Sequence, residues 1–128
     1  YYTTAASANW VVNFRHSSGT TLNTAMAIGQ TVTMTFLVTQ GATAYYNNVL
    51  KIDGTTVTPV WQGGAAPTFG NASGIDVYTY CIVKTGSATF KVFASIIGSP
   101  LPTHSVDVIE KFQFSYLLIL DKNKIIRS

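Results

Sequence analysis

Two histidines, His16 and His104, are the only imidazoles in the chain. Zinc sites take three or four ligands at close spacing, and neither histidine has such company. His104 lies three positions before Asp107, which on an extended chain sets the two on opposite faces. Five carboxylates, Asp53, Asp76, Asp107, Glu110 and Asp121, complete the acidic inventory. Glycosidases need two carboxyls facing one another across a cleft, and no motif supports such a pair here. Cys81 is the only cysteine, so no disulfide forms within the chain, and no basic neighbour is placed to activate its thiol. It alternates with Ile75, Val77 and Val83, which predicts a small core residue. The expectation is a protein that is not an enzyme, with no metal and no cofactor.

Aromatic residues offer the more interesting chemistry. Trp61 and Gln62 precede Gly63-Gly64, and Tyr45-Tyr46, Tyr78 and Tyr80 are also available. Exposed Trp and Tyr beside amides suit stacking on sugar rings. The same residue types concentrate in subunit interfaces. We expect Trp61 to close one end of the fold, with Tyr78 and Tyr80 at an interface. Trp61, Gln62, Tyr78 and Tyr80 are thus candidates for glycan contact or assembly. Asn71-Ala72-Ser73 matches a glycosylation sequon, a triplet that chance often produces. Arg15, Lys51, Lys84 and Lys91 are scattered, and Lys122, Lys124 and Arg127 fall near the end. This is not the clustered basic and aromatic pattern of a nucleic-acid binder.

The elements that must position these residues are strands. In Thr31–Thr39, Val32, Met34, Phe36 and Val38 alternate with threonines, Leu37 being the exception. That period of two predicts a half-buried strand. Asn9–Phe14 reads as an earlier short strand, and a single helical turn fits around Asn23–Ala27. Asp53-Gly54 between Val49–Ile52 and Thr55–Trp61 predicts a tight hairpin. Gly63–Gly74 reads as a long loop. Ile75–Lys84 and Ala88–Ser95, joined at Thr85-Gly86-Ser87, read as a second hairpin. Ile96–Thr103 has two prolines and a glycine and reads as a connector. Phe112–Leu120 is apolar on both faces, as in a central strand or one covered by a neighbour. Phe112, Phe114, Tyr116, Leu118 and Leu120 are its candidate assembly residues.

The expected fold is therefore all-β, an antiparallel β-sandwich of jelly-roll or Ig-like type with little or no helix. Residues 1–95 form the sandwich. Residues 96–128 form a C-terminal extension with one or two strands, packed on the same domain or on a neighbouring subunit. The longest apolar run, Tyr116–Leu120, is far shorter than the roughly 20 residues of a membrane helix, so no membrane insertion is expected. The start lacks the basic and apolar regions of a signal peptide. Because it begins with Tyr, the chain is expected to be processed or to be an excerpt.

Only 10% of residues are charged while 47% are hydrophobic, against roughly a quarter charged in ordinary soluble domains. A surface with so little like charge does not repel copies of itself. A homo-oligomer follows as the expectation, with a trimer as the working state.

Three stretches carry a resemblance. They are Asn9-Trp10 through Asn13-Phe14-Arg15, Ile52-Asp53-Gly54 through Trp61-Gln62-Gly63-Gly64, and Gly70-Asn71-Ala72-Ser73 through Ile75-Asp76-Val77-Tyr78. In order and spacing the chain from Asn9 to Ser95 resembles a domain of structural proteins of marine phages, cyanophages above all. Residues from Ile96 onward lie outside the likeness. The resemblance implies a virion protein, in the tail fibre, tail or capsid surface, whose partners are copies of itself and other virion proteins. A host-surface glycan is the alternative partner, and would make the chain a receptor-recognition module.

Overall fold

The computed structural model describes residues 1–100. In chain order the elements are β1 (Trp10–Phe14), α1 (Leu22–Ala25), β2 (Thr31–Thr39), β3 (Asn47–Ile52), β4 (Thr55–Thr56), β5 (Val60–Trp61), β6 (Gly74–Gly86) and β7 (Thr89–Pro100). They make two sheets, one ordered β1-β3-β4 and the other β2-β6-β7-β5. The core between them joins Phe14, Leu50 and Ile52 of the first sheet to Val38, Tyr78, Tyr80, Ile82, Val92 and Ala94 of the second. Leu22 and Met26, at α1, seal one end. This is an all-β sandwich with almost no helix.

Local chemistry explains the turns. Asp53 and Gly54 both have positive φ, 51° and 86°, the mirror-image turn that a two-residue hairpin requires. The turn is also held from β1, since Asp53 N donates to Phe14 O at 3.0 Å and Gly54 N to Asn13 Oδ1 at 2.9 Å. β6 and β7 form the other hairpin, with Gly86 opposite Thr89. Its turn is Ser87-Ala88, one residue later than the sequence pattern placed it. Ala88 N donates to Asn23 Oδ1 at 2.7 Å, which tethers the turn to α1.

Pairing is mixed. β2–β6, β6–β7 and β3–β4 are antiparallel, but β1–β3 and β5–β7 are parallel. Parallel neighbours arise because the chain visits the other sheet, or another strand, between them. The Asp53-Gly54 hairpin is accordingly short. Past Val57–Pro59 the chain leaves β4, and Trp61 pairs opposite Ala94 of β7 in the other sheet.

Two expectations need correction. Ile96–Pro100 is not a connector: β7 continues through it, with Ile96 opposite Tyr78 and Gly98 opposite Asp76. The second concerns the phase of β6. Its buried face is Asp76, Tyr78, Tyr80, Ile82 and Lys84, and Ile75, Val77, Thr79, Cys81 and Val83 are half-buried on the opposite side. Cys81 is therefore not a core residue. A polar-looking face wins because each polar atom on it finds a partner inside, which removes the usual cost of burial.

Candidate functional site

Tyr78 and Tyr80 lie in the middle of the sandwich, 1% and 0% exposed. Their hydroxyls meet Asn47 of β3, whose backbone N donates to Tyr78 Oη at 3.2 Å. Tyr80 Oη donates to Asn47 Oδ1 at 3.0 Å. Asn47 Nδ2 in turn donates to the carbonyls of Trp10 and Val49 at 2.9 and 3.0 Å. One asparagine thus joins both sheets. Burial raises the Tyr78 phenol to about 12, the Asn47 amide opposing and the nearby Asp76 charge adding to the rise. Burial, then Tyr78, push Tyr80 up as well. Both tyrosines are therefore withdrawn from the expected glycan-contact or interface set, because no outside molecule reaches them.

Trp61 is half-buried, its ring edge-on to Tyr78 and Tyr80 at 6.3 and 6.1 Å. It closes the end of an aromatic cluster that includes Phe14, 5.3 Å from Tyr80, and Trp10, 5.4 Å from Tyr78. Gln62 is exposed in the single 3-10 turn that follows. Gln62 alone of the four candidates is freely presented, so no aromatic platform for a sugar is assembled there.

The stretches Asn9–Arg15, Ile52–Gly64 and Gly70–Tyr78 supply structural clamps. Asn9 Oδ1 accepts from Tyr46 N at 3.0 Å. The Asp53 carboxylate accepts from Leu22 N and Asn23 N at 2.7 and 2.9 Å, at the start of α1. Asp76, wholly buried, accepts from Gln40 Nε2 at 2.9 Å, Asn71 N at 3.2 Å and Asn71 Nδ2 at 2.6 Å. The Asn71 amide of the sequon is thereby engaged. A Cβ at Gly70 would overlap Tyr45 O and the Gln40 and Asp76 side chains, so this bend accepts only glycine. Lys84, buried, donates from Nζ to the carbonyls of Asn23 and Met26 at 2.5 and 2.8 Å and ends α1. These carboxylates and amides hold loops, and His16 stands alone and exposed. Among the described residues no group of three or more His, Cys, Asp or Glu converges as a metal site. No described helix is long and apolar enough to cross a membrane.

Phe112, Phe114, Tyr116, Leu118 and Leu120, with His104, Asp107 and Glu110, lie outside the described residues.

Sequence reasoning missed the outer face of the four-stranded sheet, having assigned its β6 row to the core. Strand register sets Leu37, Val77 and Ile97 in one row across it, and Thr33, Cys81, Phe93 and Val60 in another. Val60, Phe93 and Ile97 are 48%, 46% and 63% exposed. Of the described residues on β2, β6 and β7 that face this way, only Lys91, opposite Val83, carries charge. Two rows carrying exposed apolar residues thus lie on this face, separated by the hydroxyl row Thr35, Thr79 and Ser95.

A groove of about 520 Å³ lies on one open side of the sandwich, between the N-terminal segment, β1 and β2. Alanines 5, 6 and 8, Trp10, Val12, Phe36 and Val38 line much of it. It offers no cluster of titratable groups. Neither a scan of protein-family models nor searches of curated proteins and of solved structures find a match to this chain.

Proposed function

We propose that the chain is a structural component of a phage particle, in the tail fibre, tail or capsid surface, that works by assembling with copies of itself and with other virion proteins. The phage assignment rests on the three-part likeness within Asn9–Ser95. The assembly assignment rests on one observation, the nearly uncharged outer face that carries Leu37, Val60, Val77, Phe93 and Ile97. Covering it removes apolar area from water, worth about 25 cal/mol per Å². Apart from Lys91, the described part of the face also lacks the charges that would penalise a protein neighbour.

Sheet spacings give the overlapping part of β2, β6 and β7 a flat footprint on the order of 400 Å². A standard interface uses about 800 Å² of accessible surface per partner. Face packing therefore calls for a second contact, and the apolar Phe112–Leu120 segment is the proposed source.

The test is solution mass. Phe93→Glu and Ile97→Glu place charge on exposed positions with little cost to the core. Each is expected to convert the assembled protein to monomer, as measured by sedimentation or light scattering. An unchanged mass in both variants removes the face from the proposal. The glycan-binding reading gains nothing from the geometry, since Tyr78 and Tyr80 are enclosed.

A further inference from the structure

From the backbone geometry we infer that the outer edge of β2 accepts, as an added strand, the Phe112–Leu120 segment of a sister subunit. The inference rests on the assembly reading above and names its second contact. β2 is the longest edge strand in either sheet: nine residues, against five in β1 and two each in β4 and β5. Its register with β6 is unbroken from Thr31 to Thr39. It carries no charge, proline or bulge, the devices by which edges are ordinarily protected from pairing.

The direction of its backbone groups follows from four hydrogen bonds. Gln40 N donates to Gly74 O at 2.9 Å, and Gln30 O accepts from Lys84 N at 3.1 Å, so even-numbered positions face β6. On the other side Leu37 O accepts from Tyr2 N at 2.8 Å and Thr39 N donates to Tyr2 O at 3.0 Å. Odd-numbered positions therefore face outward. Tyr2 covers Leu37 and Thr39, and no described residue pairs with the backbone of Thr31, Thr33 or Thr35 along this edge.

The sides of that edge select the occupant. Inward lie Val32, Met34 and Phe36, each only half-buried although packed on the core. Outward lie exposed Thr31, Thr33 and Thr35. A partner strand should alternate in the same way. In its first half Phe112, Phe114 and Tyr116 alternate with Gln113 and Ser115, while Leu117 to Leu120 are apolar at every position; the segment has nine residues, as β2 has. Pairing would supply main-chain hydrogen bonds while the alternate side chains fill the open flank, as in strand addition generally.

A sister subunit is taken as the source because the assembly reading calls for contact between copies, and the end of β7 is compatible with it. Pro100 pairs with Gly74, at the Thr39 end of the sheet, the end Tyr2 already occupies. The segment from another subunit enters at the open Thr31 end without crossing Tyr2.

The experiment is residue-resolved amide hydrogen exchange on the full chain, with solution mass measured alongside. In the assembled protein the Thr33 and Thr35 amides should exchange at least about a hundredfold more slowly than in Tyr116→Pro, whose added strand is broken. The Met34 and Phe36 amides, which face β6, should be slow in both and report an intact fold. Thr33→Pro removes only an outward N–H and leaves the β6 ladder in place. It should weaken assembly at least tenfold, while Thr33→Val, which keeps that N–H, should not. Fast exchange at Thr33 and Thr35 in an assembled wild type overturns the edge assignment and leaves the assembly reading intact. Protection that persists in Tyr116→Pro overturns the occupant. Protected amides in a protein monomeric at every concentration overturn the sister-subunit source, and a monomer with unprotected amides overturns both readings.

Discussion

Tyr80 and Asn47, on strands of opposite sheets, share a buried hydrogen bond of 3.0 Å in which the phenol donates to the amide oxygen. Asn47 also serves Tyr78, Trp10 and Val49, so its side chain stands at the junction of both sheets. Asn47→Ala leaves the Tyr80 hydroxyl and two backbone carbonyls without their partners. Each buried group so stranded costs about 1–3 kcal/mol. We expect about 3 kcal/mol or more of destabilisation in urea unfolding. Tyr80→Phe, which strands only the amide oxygen, should cost about 1–2 kcal/mol. The double variant should fall well short of the sum.

The same pair predicts alkaline behaviour. Burial raises Tyr78 from 10.0 to about 12 and also raises Tyr80. Above pH 10 the unfolded chain releases phenolic protons that the folded chain retains, so fewer protons are bound when unfolded and stability falls as pH rises. The contribution is whole below pH 10 and is lost progressively toward pH 12 and beyond. Unfolding free energy measured from neutral pH upward should decline across that window. Tyr80→Phe should flatten the decline, and an equal slope in that variant would count against burial as its cause.

These two tyrosines also mark where sequence reading succeeds and fails. Alternation in Thr31–Thr39 and the Asp53-Gly54 turn were legible because each depends on neighbours in the chain: a period of two in one, a pair of positive φ angles in the other. The phase of β6 was not. Hydrophobicity favours Ile75, Val77 and Val83 over Asp76, Tyr78 and Lys84 as the inward set. The inward partners of the latter, Gln40, Asn47 and the carbonyls of Asn23 and Met26, come from distant parts of the chain. The apolar residues then fall outside, and with them the candidate interface. Likewise Gly98 and the prolines suggested a connector, whereas the long partner strand β6 keeps β7 paired through Pro100.

Asp53 links the hairpin to α1, and this gives a third prediction. A four-residue helix is too short to persist alone. The carboxylate accepts from its first two amides, while the Thr21 hydroxyl accepts from Thr24 N at 3.0 Å. Asp53→Ala also forces a positive φ on alanine, so Asp53→Asn is the cleaner variant, keeping turn preference and one acceptor. We expect about 0.5–2 kcal/mol lost in Asp53→Asn, within the range of helix-cap removals, and more in Asp53→Ala. Exchange of the Leu22–Met26 amides should accelerate first, before that of β6.

Cys81 provides a probe of the outer face that requires no substitution. It is half-buried opposite Thr33 and Phe93, in the row that the assembly proposal covers. In a concentrated, assembled sample its thiol should react slowly with an aromatic disulfide reagent. Reactivity should rise at least tenfold on dilution to monomer, or in Phe93→Glu. A rate independent of concentration, in a protein whose mass does depend on concentration, places the interface elsewhere.

Gly98 and Asn71 make the last case, in which a residue with no side chain protects a buried charge. Gly98 stands opposite Asp76 on β7, and a Cβ there would overlap the Asn71 amide group. Asn71 cannot simply swing away, because its Nδ2 donates to Asp76 Oδ1 at 2.6 Å and its backbone N to Oδ2 at 3.2 Å. Gly98→Ala must therefore break the side-chain bond and leave a wholly buried carboxylate with fewer donors. A hydrogen bond to a charged group contributes about 1.5–3 kcal/mol. Gly98→Ala and Asn71→Ala should each cost about that much in unfolding experiments. Because both act through the same bond to Asp76, combining them should add little, since coupled sites are not additive. Additive losses would mean that Gly98 matters for its backbone alone.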